Sequence, residues 1–319
     1  MTTTNTTKMF GIAEAFGVSA RPELTIEGFA DESHPMIPRK TEYRFRPGLS
    51  GLIAFLGEAA GDAFLLTGPT GSGKTSLVCQ IAARLNWPVQ SVTCHGRMEL
   101  SDLVGQFVLN NGTTEFIHGP LAVAMKEGQI LILNEIDLMD PSELAGLNDV
   151  IEGRPLVIAQ NGGEVIRPHP KFRVFATGNS AGAGDTTGLY QGVLRQNLAF
   201  LDRFQVINVG YLAAEVELGV LQKAIPSLPG EIGEKMIAVA NEIRRLFLGE
   251  GEQRAELTIT MSTRTVIRWA RLSLTFRGAS QPIAHALEQA LTNRADAEQR
   301  EAIHRIAEDV MGNLWLGVV

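Results

Sequence analysis

The sequence predicts an α/β fold: a five-stranded parallel sheet between helices, carrying two β-hairpin inserts and followed by an all-α domain. Three observations predict it. Short apolar runs alternate with helical patterns through the first two thirds of the chain. One run leads straight into a glycine-rich loop and then a helix, the order a phosphate-binding loop needs. Strand patterns then stop, and only helical patterns follow.

The five runs are Ala63–Thr67, Val89–Thr93, Ile130–Leu133, Phe172–Ala176 and Phe204–Val209. Each has the length of an ordinary strand. They alternate little, as strands covered on both faces should. Two further segments read as hairpins, Phe107–Ile117 around Asn111-Gly112 and Leu156–Ile166 around Asn161-Gly162. Asn-Gly supplies the positive φ angles of a tight turn. Two readings of these inserts stand side by side: surface caps on the sheet, or moving inserts that touch a partner.

The helical patterns of the last third are Ala213–Ala224, Glu231–Phe247, Ser262–Phe276, Ile283–Asn293 and Ala297–Met311. Breakers between them include Pro226, Pro229, Gly249, Gly251, Gly278 and Pro282. Before the sheet, Met9–Phe16 suits a helical turn, and the proline- and charge-rich Pro35–Arg46 suits a linker or surface strap. The expected division is an N-terminal extension over 1–45, an α/β nucleotide-binding core over 46–211 and a helical lid domain over 212–319.

Composition narrows the function classes. The 319 residues are 45% hydrophobic and 20% charged, enough apolar material for a sizeable core. A net charge of -7 argues against a protein that coats nucleic acid. The two cysteines, Cys79 and Cys94, lie in no metal-binding spacing, and the six histidines are scattered. No run approaches the length of a membrane helix, and the start MTTTNTTKMF lacks a secretory pattern. A reduced, cytoplasmic protein is the expectation.

The segment Gly68-Pro69-Thr70-Gly71-Ser72-Gly73-Lys74-Thr75 fits GxxxxGK[ST] at every fixed position. Its glycines let backbone N–H groups turn inward onto phosphates, and the helix N-terminus behind them favours negative charge. Lys74 is expected on the β- and γ-phosphates of ATP, with the Thr75 hydroxyl on Mg²⁺. The strand Ile130–Leu133 ends in Asn134-Glu135-Ile136-Asp137. Such strands normally end in Asp-Glu, the Asp holding a water of the Mg²⁺ shell and the Glu activating the attacking water. Glu135 takes the base position. Asn134 stands where the Asp is expected, keeping an acceptor oxygen but losing a charge. Moving the register to Asp137 would bury Asn134 and Glu135 in the strand, which excludes it.

Asn179 follows the strand Phe172–Ala176 and is placed either to touch the γ-phosphate or to make a turn. Arg203, in Leu201-Asp202-Arg203-Phe204, suits either a neighbouring subunit's phosphate or a surface ion pair, with Arg195 as a weaker rival. Arg264 opens the helix after Ser262 and is placed to reach over the nucleotide. Asp140, Pro141 and Glu143 form a helix start just after the catalytic strand.

The order GPTGSGKT, ILILNEID, FATGNSAG, LDRF and MSTR resembles the MoxR branch of AAA+ ATPases. Within that branch it is similar to the CobS-like AAA+ subunits of cobaltochelatase, through AARLNWP (82–88), VIRPHPKFRVFATGN (165–179), GDTTGLYQG (184–192) and MSTRTVIRWA (261–270). The resemblance implies that Asn179 is sensor 1, Arg203 the arginine finger and Arg264 sensor 2. It implies that the hairpins are the helix-2 and pre-sensor-1 inserts. It also implies a homo-oligomeric ring, a hexamer, that works with a von Willebrand A domain partner to remodel or activate a protein. Cobalt insertion would then belong to another, large subunit. The competing expectations are an ATP-dependent scaffold or switch with slow hydrolysis, motivated by Asn134, and a nucleic-acid motor, which the charge disfavours.

Overall fold

The computed structural model describes residues 6–46, 48–110, 112–180, 182, 184, 192–249 and 255–316. The chain opens with strand β1 (Thr7–Gly11), helix α1 (Ile12–Phe16) and strand β2 (Thr25–Phe29), the two strands pairing antiparallel. Met9 therefore lies in a strand, and the helical turn begins only at Ile12. There follow α2 (Leu49–Gly57), β3 (Ala63–Thr67), α3 (Lys74–Arg84), β4 (Val89–Thr93) and α4 (Leu100–Val104). Next come the hairpin β5 (Gly105–Asn110) and β6 (Thr113–His118), α5 (Pro120–Glu127) and β7 (Ile130–Asn134). Then come α6 (Pro141–Ala145), α7 (Asn148–Ile151), the hairpin β8 (Leu156–Ile158) and β9 (Glu164–Ile166), β10 (Arg173–Gly178), α8 (Leu198–Leu201) and β11 (Phe204–Asn208). Five helices finish the chain: α9 (Ala214–Ala224), α10 (Gly230–Leu248), α11 (Thr263–Thr275), α12 (Pro282–Ala290) and α13 (Ala297–Met311).

The main sheet has five strands in the order β11-β3-β10-β7-β4, all parallel. Its three central strands are buried along nearly their whole length, whereas the edge strands β4 and β11 are half exposed. Side chains alternate across the sheet and feed two cores. Phe64, Leu66, Ile132 and Phe175 pack with Leu52 and Phe55 of α2 and Leu77 and Ile81 of α3. On the other face Leu65, Leu131, Leu133 and Val174 pack with Leu121 and Met125 of α5. This two-sided burial is why the three central strands read as apolar runs.

The N-terminal hairpin joins the first of these cores through Phe16, Ile26 and Phe29, which pack with Leu85 and Trp87. Gly28 allows the approach: a Cβ there would lie 2.3 Å from the Leu85 carbonyl oxygen. Residues 36–41 run as a strap. The Met36 carbonyl accepts from Val89 N–H (2.9 Å), the Gln80 amide donates to the Arg39 carbonyl (3.0 Å), and Thr41 N–H donates to Gln80 Oε1 (3.0 Å).

Asn111 lies outside the described residues; Gly112, at φ 84°, follows it in the first hairpin. The second hairpin differs from a tight Asn-Gly turn. Asn161 sits in a 3₁₀ turn over Ala159–Asn161, and Gly162 and Gly163 carry the positive φ angles, 63° and 78°. The Asn161 amide is used elsewhere, on Glu164 Oε2 at 2.7 Å, which fixes it in the 3₁₀ turn.

Two compact units emerge, one of residues 1–68 and 74–209, the other of 69–73 and 210–319. The second has its own core of Met236, Ile243, Trp269, Leu287 and Ile303. In it Arg244 makes a buried bidentate pair with Glu217 (2.6 and 2.7 Å), and its guanidinium lies 4.5 Å from the Tyr211 ring centre. No helix among the described residues is long and apolar enough to cross a membrane.

Candidate functional site

β3 ends at Thr67, and the chain turns at once into the glycine-rich loop. Gly68 has φ 141°, and a Cβ there would lie 2.3 Å from the Val209 carbonyl oxygen, so no other residue fits. Gly71 and Gly73 also have positive φ, 73° and 92°. At Gly71 an added Cβ would meet the Ser262 Cβ at 2.3 Å. Pro69 accepts from Ser72 N–H (3.2 Å), the Thr70 carbonyl accepts from the Tyr211 hydroxyl (3.0 Å), and Ser72 is buried. α3 begins at Lys74, directly behind the loop.

Lys74 Nζ donates to the Gly68 carbonyl at 2.7 Å and to Asn179 Oδ1 at 3.1 Å. Burial pushes its ammonium down to about 8, with Asp137 and Glu135 opposing that shift. Asn179 stands one residue past β10, where β10 lies between β3 and β7. Three adjacent parallel strands thus bring their carboxyl ends to Lys74, the end where such sheets place ligands.

Asn134 is the last residue of β7. Its Oδ1 accepts from the Thr75 hydroxyl at 2.5 Å, and its Nδ2 donates to Ser91 Oγ (2.9 Å) and the Val92 carbonyl (3.1 Å) of β4. Glu135 follows in the left-handed region (φ 55°), its N–H on Thr177 Oγ1 at 3.2 Å. A non-glycine residue in that conformation is uncommon and turns the chain sharply out of the strand.

The hydroxyl of Thr75 beside a neutral amide oxygen is a donor set that suits a hard, oxygen-seeking cation such as Mg²⁺. The positive-φ loop and the helix start behind it suit phosphate.

Asp137 has a role that spacing alone did not disclose. It is 1% exposed, and its Oδ2 accepts from the N–H groups of Asn179 (2.8 Å) and Ser180 (3.2 Å). Only its place two residues after Glu135 hinted at this. Ser91 gave no signal at all, since its contact depends on the β4–β7 register that sets Thr93 opposite Asn134.

The remaining candidates have surroundings of their own. Arg203 donates to Glu152 Oε1 through Nε (2.8 Å) and through Nη2 (2.5 Å), and to the Ala199 carbonyl through Nη1. Arg195 is exposed. Arg264 is exposed on the first turn of α11, whose cap Ser262 accepts from Thr265 N–H at 3.1 Å. Asp140 caps α6 by accepting from Ser142 N–H at 2.8 Å, and Glu143 accepts from Leu100 N–H at 2.8 Å. Of the segment 184–192, only its two end residues are described.

The AAA domain (dynein-related subfamily) matches residues 63–204, and the CbbQ/NirQ/NorQ C-terminal family matches 217–310. The chain is 33% identical over 301 residues to the aerobic cobaltochelatase subunit CobS of Sinorhizobium sp, covering 92% of this chain and 87% of that protein. It is 30% identical over 260 residues to the uncharacterized protein YojN of Bacillus subtilis, 80% of each chain. An uncharacterized Staphylococcus saprophyticus protein is 31% identical over 242 residues, 74% of this chain and 86% of that one. A phosphate loop between sheet and helix, a strand-end Glu beside it and a C-terminal helical region of this kind, matched to such relatives over nearly the whole chain, mean that it belongs to the MoxR-type, CobS-like family of AAA+ ATPases.

Proposed function

We propose that this ATPase binds ATP with Mg²⁺ and hydrolyses it as a homo-oligomeric ring, a hexamer, to remodel or activate a partner protein. One observation carries the reading: Lys74 bridges the Gly68 carbonyl and Asn179 Oδ1 while its neighbour Thr75 bonds Asn134. Lys74 holds the terminal phosphates by charge. Asn179 orients the γ-phosphate and the attacking water. Glu135 takes the proton from that water, in the position general bases hold at this strand end. Thr75 and Asn134 would hold Mg²⁺, the latter through a water; the ion supplies charge neutralisation on the β- and γ-phosphates. Arg203 completes the site of a neighbouring subunit, and Arg264 contacts the nucleotide from the helical region.

The partner carries a von Willebrand A domain. In the narrower reading, supported by the name of the Sinorhizobium relative, the chain is the ATPase subunit of a cobaltochelatase-type complex, cobalt being cargo on another subunit. The protein works in the cytoplasm.

A second reading is favoured by Asn134: ATP closes the ring and slow hydrolysis serves as a timer. ATP turnover, measured beside mass in solution with and without ATP, separates the two. A ring with clear turnover supports the motor. ATP-driven assembly with little turnover, unchanged by Glu135→Gln, supports the switch. Neither assembly nor turnover, with or without partner, overturns both.

A further inference from the structure

An asparagine has two ends of nearly equal size and opposite hydrogen-bonding sense. At position 134 the choice between them is decisive. With the oxygen toward Thr75, the side chain presents an acceptor to a metal-bound water. Flipped, it presents an N–H₂ group that repels the same shell. The strand-end carboxylate usual at this place is symmetric and has no such choice to make.

We propose that Ser91 is a positioning residue for the nucleotide's metal: with the Val92 carbonyl it locks the Asn134 amide so that its oxygen faces the Thr75 hydroxyl. The inference rests on the reading of Thr75 and Asn134 as the metal edge of the ATP site, and deepens it. The Val92 carbonyl only accepts, so at 3.1 Å from the amide it admits only the N–H₂ end. Ser91 Oγ, 2.9 Å from the same nitrogen, takes the second amide hydrogen. Both donors of Asn134 are then used, and Oδ1 is left for Thr75 at 2.5 Å. A carboxylate here would set its second oxygen against the Val92 carbonyl, acceptor against acceptor. β4 is therefore matched to an amide. The asparagine belongs to a three-residue arrangement, spread over two strands, that compensates for its lost charge by fixed orientation.

Ser91 sits on the exposed side of an edge strand, so small substitutions there leave the sheet intact. The test is direct binding of a fluorescent ATP analogue to the full chain, titrated over a series of Mg²⁺ concentrations and in EDTA. Ser91→Ala is expected to reduce the Mg²⁺-dependent gain in affinity by about threefold or more, the scale of one hydrogen bond, while affinity in EDTA stays unchanged. Ser91→Thr, which keeps the hydroxyl, should retain the gain. In an Asn134→Ala background, Ser91→Ala should change nothing further.

A gain that survives Ser91→Ala, or one that falls equally in the Asn134→Ala background, overturns the role of Ser91 and leaves the ATP site standing. Native protein whose affinity ignores Mg²⁺ overturns the metal reading of Thr75 and Asn134 itself, and the role of Ser91 with it.

Discussion

The carboxylate of Asp137 accepts the backbone N–H of Asn179 at 2.8 Å, tying the turn after β7 to the end of β10. A second bond, from Ser180 N–H at 3.2 Å, lands on the same oxygen. Asn179 in turn accepts from Lys74. One buried acid thus sets the height at which Asn179 meets the phosphate-binding lysine.

Removing that acid should cost both stability and turnover. Asp137→Ala leaves two partly buried N–H groups without their acceptor and is expected to lower stability by about 3 kcal/mol, the scale of two lost hydrogen bonds to a carboxylate. Asp137→Asn keeps one acceptor oxygen and should lose less than half of that. Urea unfolding followed by circular dichroism measures the stability of each variant, and phosphate release its turnover. An alanine variant within half a kcal/mol of the parent, on the scale of a plain surface change, would remove Asp137 from this role.

The depressed ammonium of Lys74 predicts a pH dependence of ATP affinity. Only the protonated lysine attracts phosphate. With the free protein's value at about 8, affinity is full below pH 7 and falls as pH rises through 8. Between pH 7 and 9 the charged fraction drops about tenfold, and affinity should follow. Glu135 helps hold the value up, so Glu135→Gln should move the midpoint to lower pH. Direct nucleotide binding across this range is the measurement. A flat profile, or a midpoint shifted upward by the glutamine, contradicts the assignment.

How much of this was legible in the sequence depended on whether a feature is local. The strand Ala63–Thr67 matches its apolar run residue for residue, because burial on both faces leaves one type of side chain, and Val89–Thr93 keeps the expected bounds on a half-exposed edge. The phosphate loop is contiguous, so its glycines announce themselves. The β1–β2 pair was missed because its residues are mixed in polarity and in burial, its fit depending on Gly28 lying against Leu85. Ser91 and Asp137 escaped for the same reason. Each acts through a neighbour on another segment, 43 and 42 positions away. Arg203 shows the converse: its place in the chain left a neighbouring subunit's phosphate and an ion pair both open, while its visible bonds are to Glu152 and the Ala199 carbonyl.

Replacing Glu135 by glutamine preserves the shape of a side chain whose backbone already sits at φ 55°. It removes the group able to take a proton from water. ATP turnover is expected to fall by about 100-fold or more, the usual contribution of a general base. ATP affinity at pH 7 should stay within about threefold, since Lys74 remains largely charged there. The two quantities are read separately, by phosphate release and by direct binding. A variant that loses binding and turnover together would make Glu135 a structural residue.

Arg203 offers a test that depends on assembly. In the single chain its guanidinium is held by Glu152, so a role in catalysis requires a neighbouring copy that draws it to a phosphate. Arg203→Ala subunits keep Lys74 and bind ATP but present no arginine. Lys74→Ala subunits keep the arginine but bind no ATP. Each homogeneous ring should be inactive. In an equal mixture, about a quarter of the head-to-tail contacts in a ring pair an intact lysine with an intact arginine. Turnover should reappear at about that fraction of the native rate, measured by phosphate release after the two variants are assembled together. Mixtures as silent as their parents would leave the Glu152 ion pair as the whole function of Arg203.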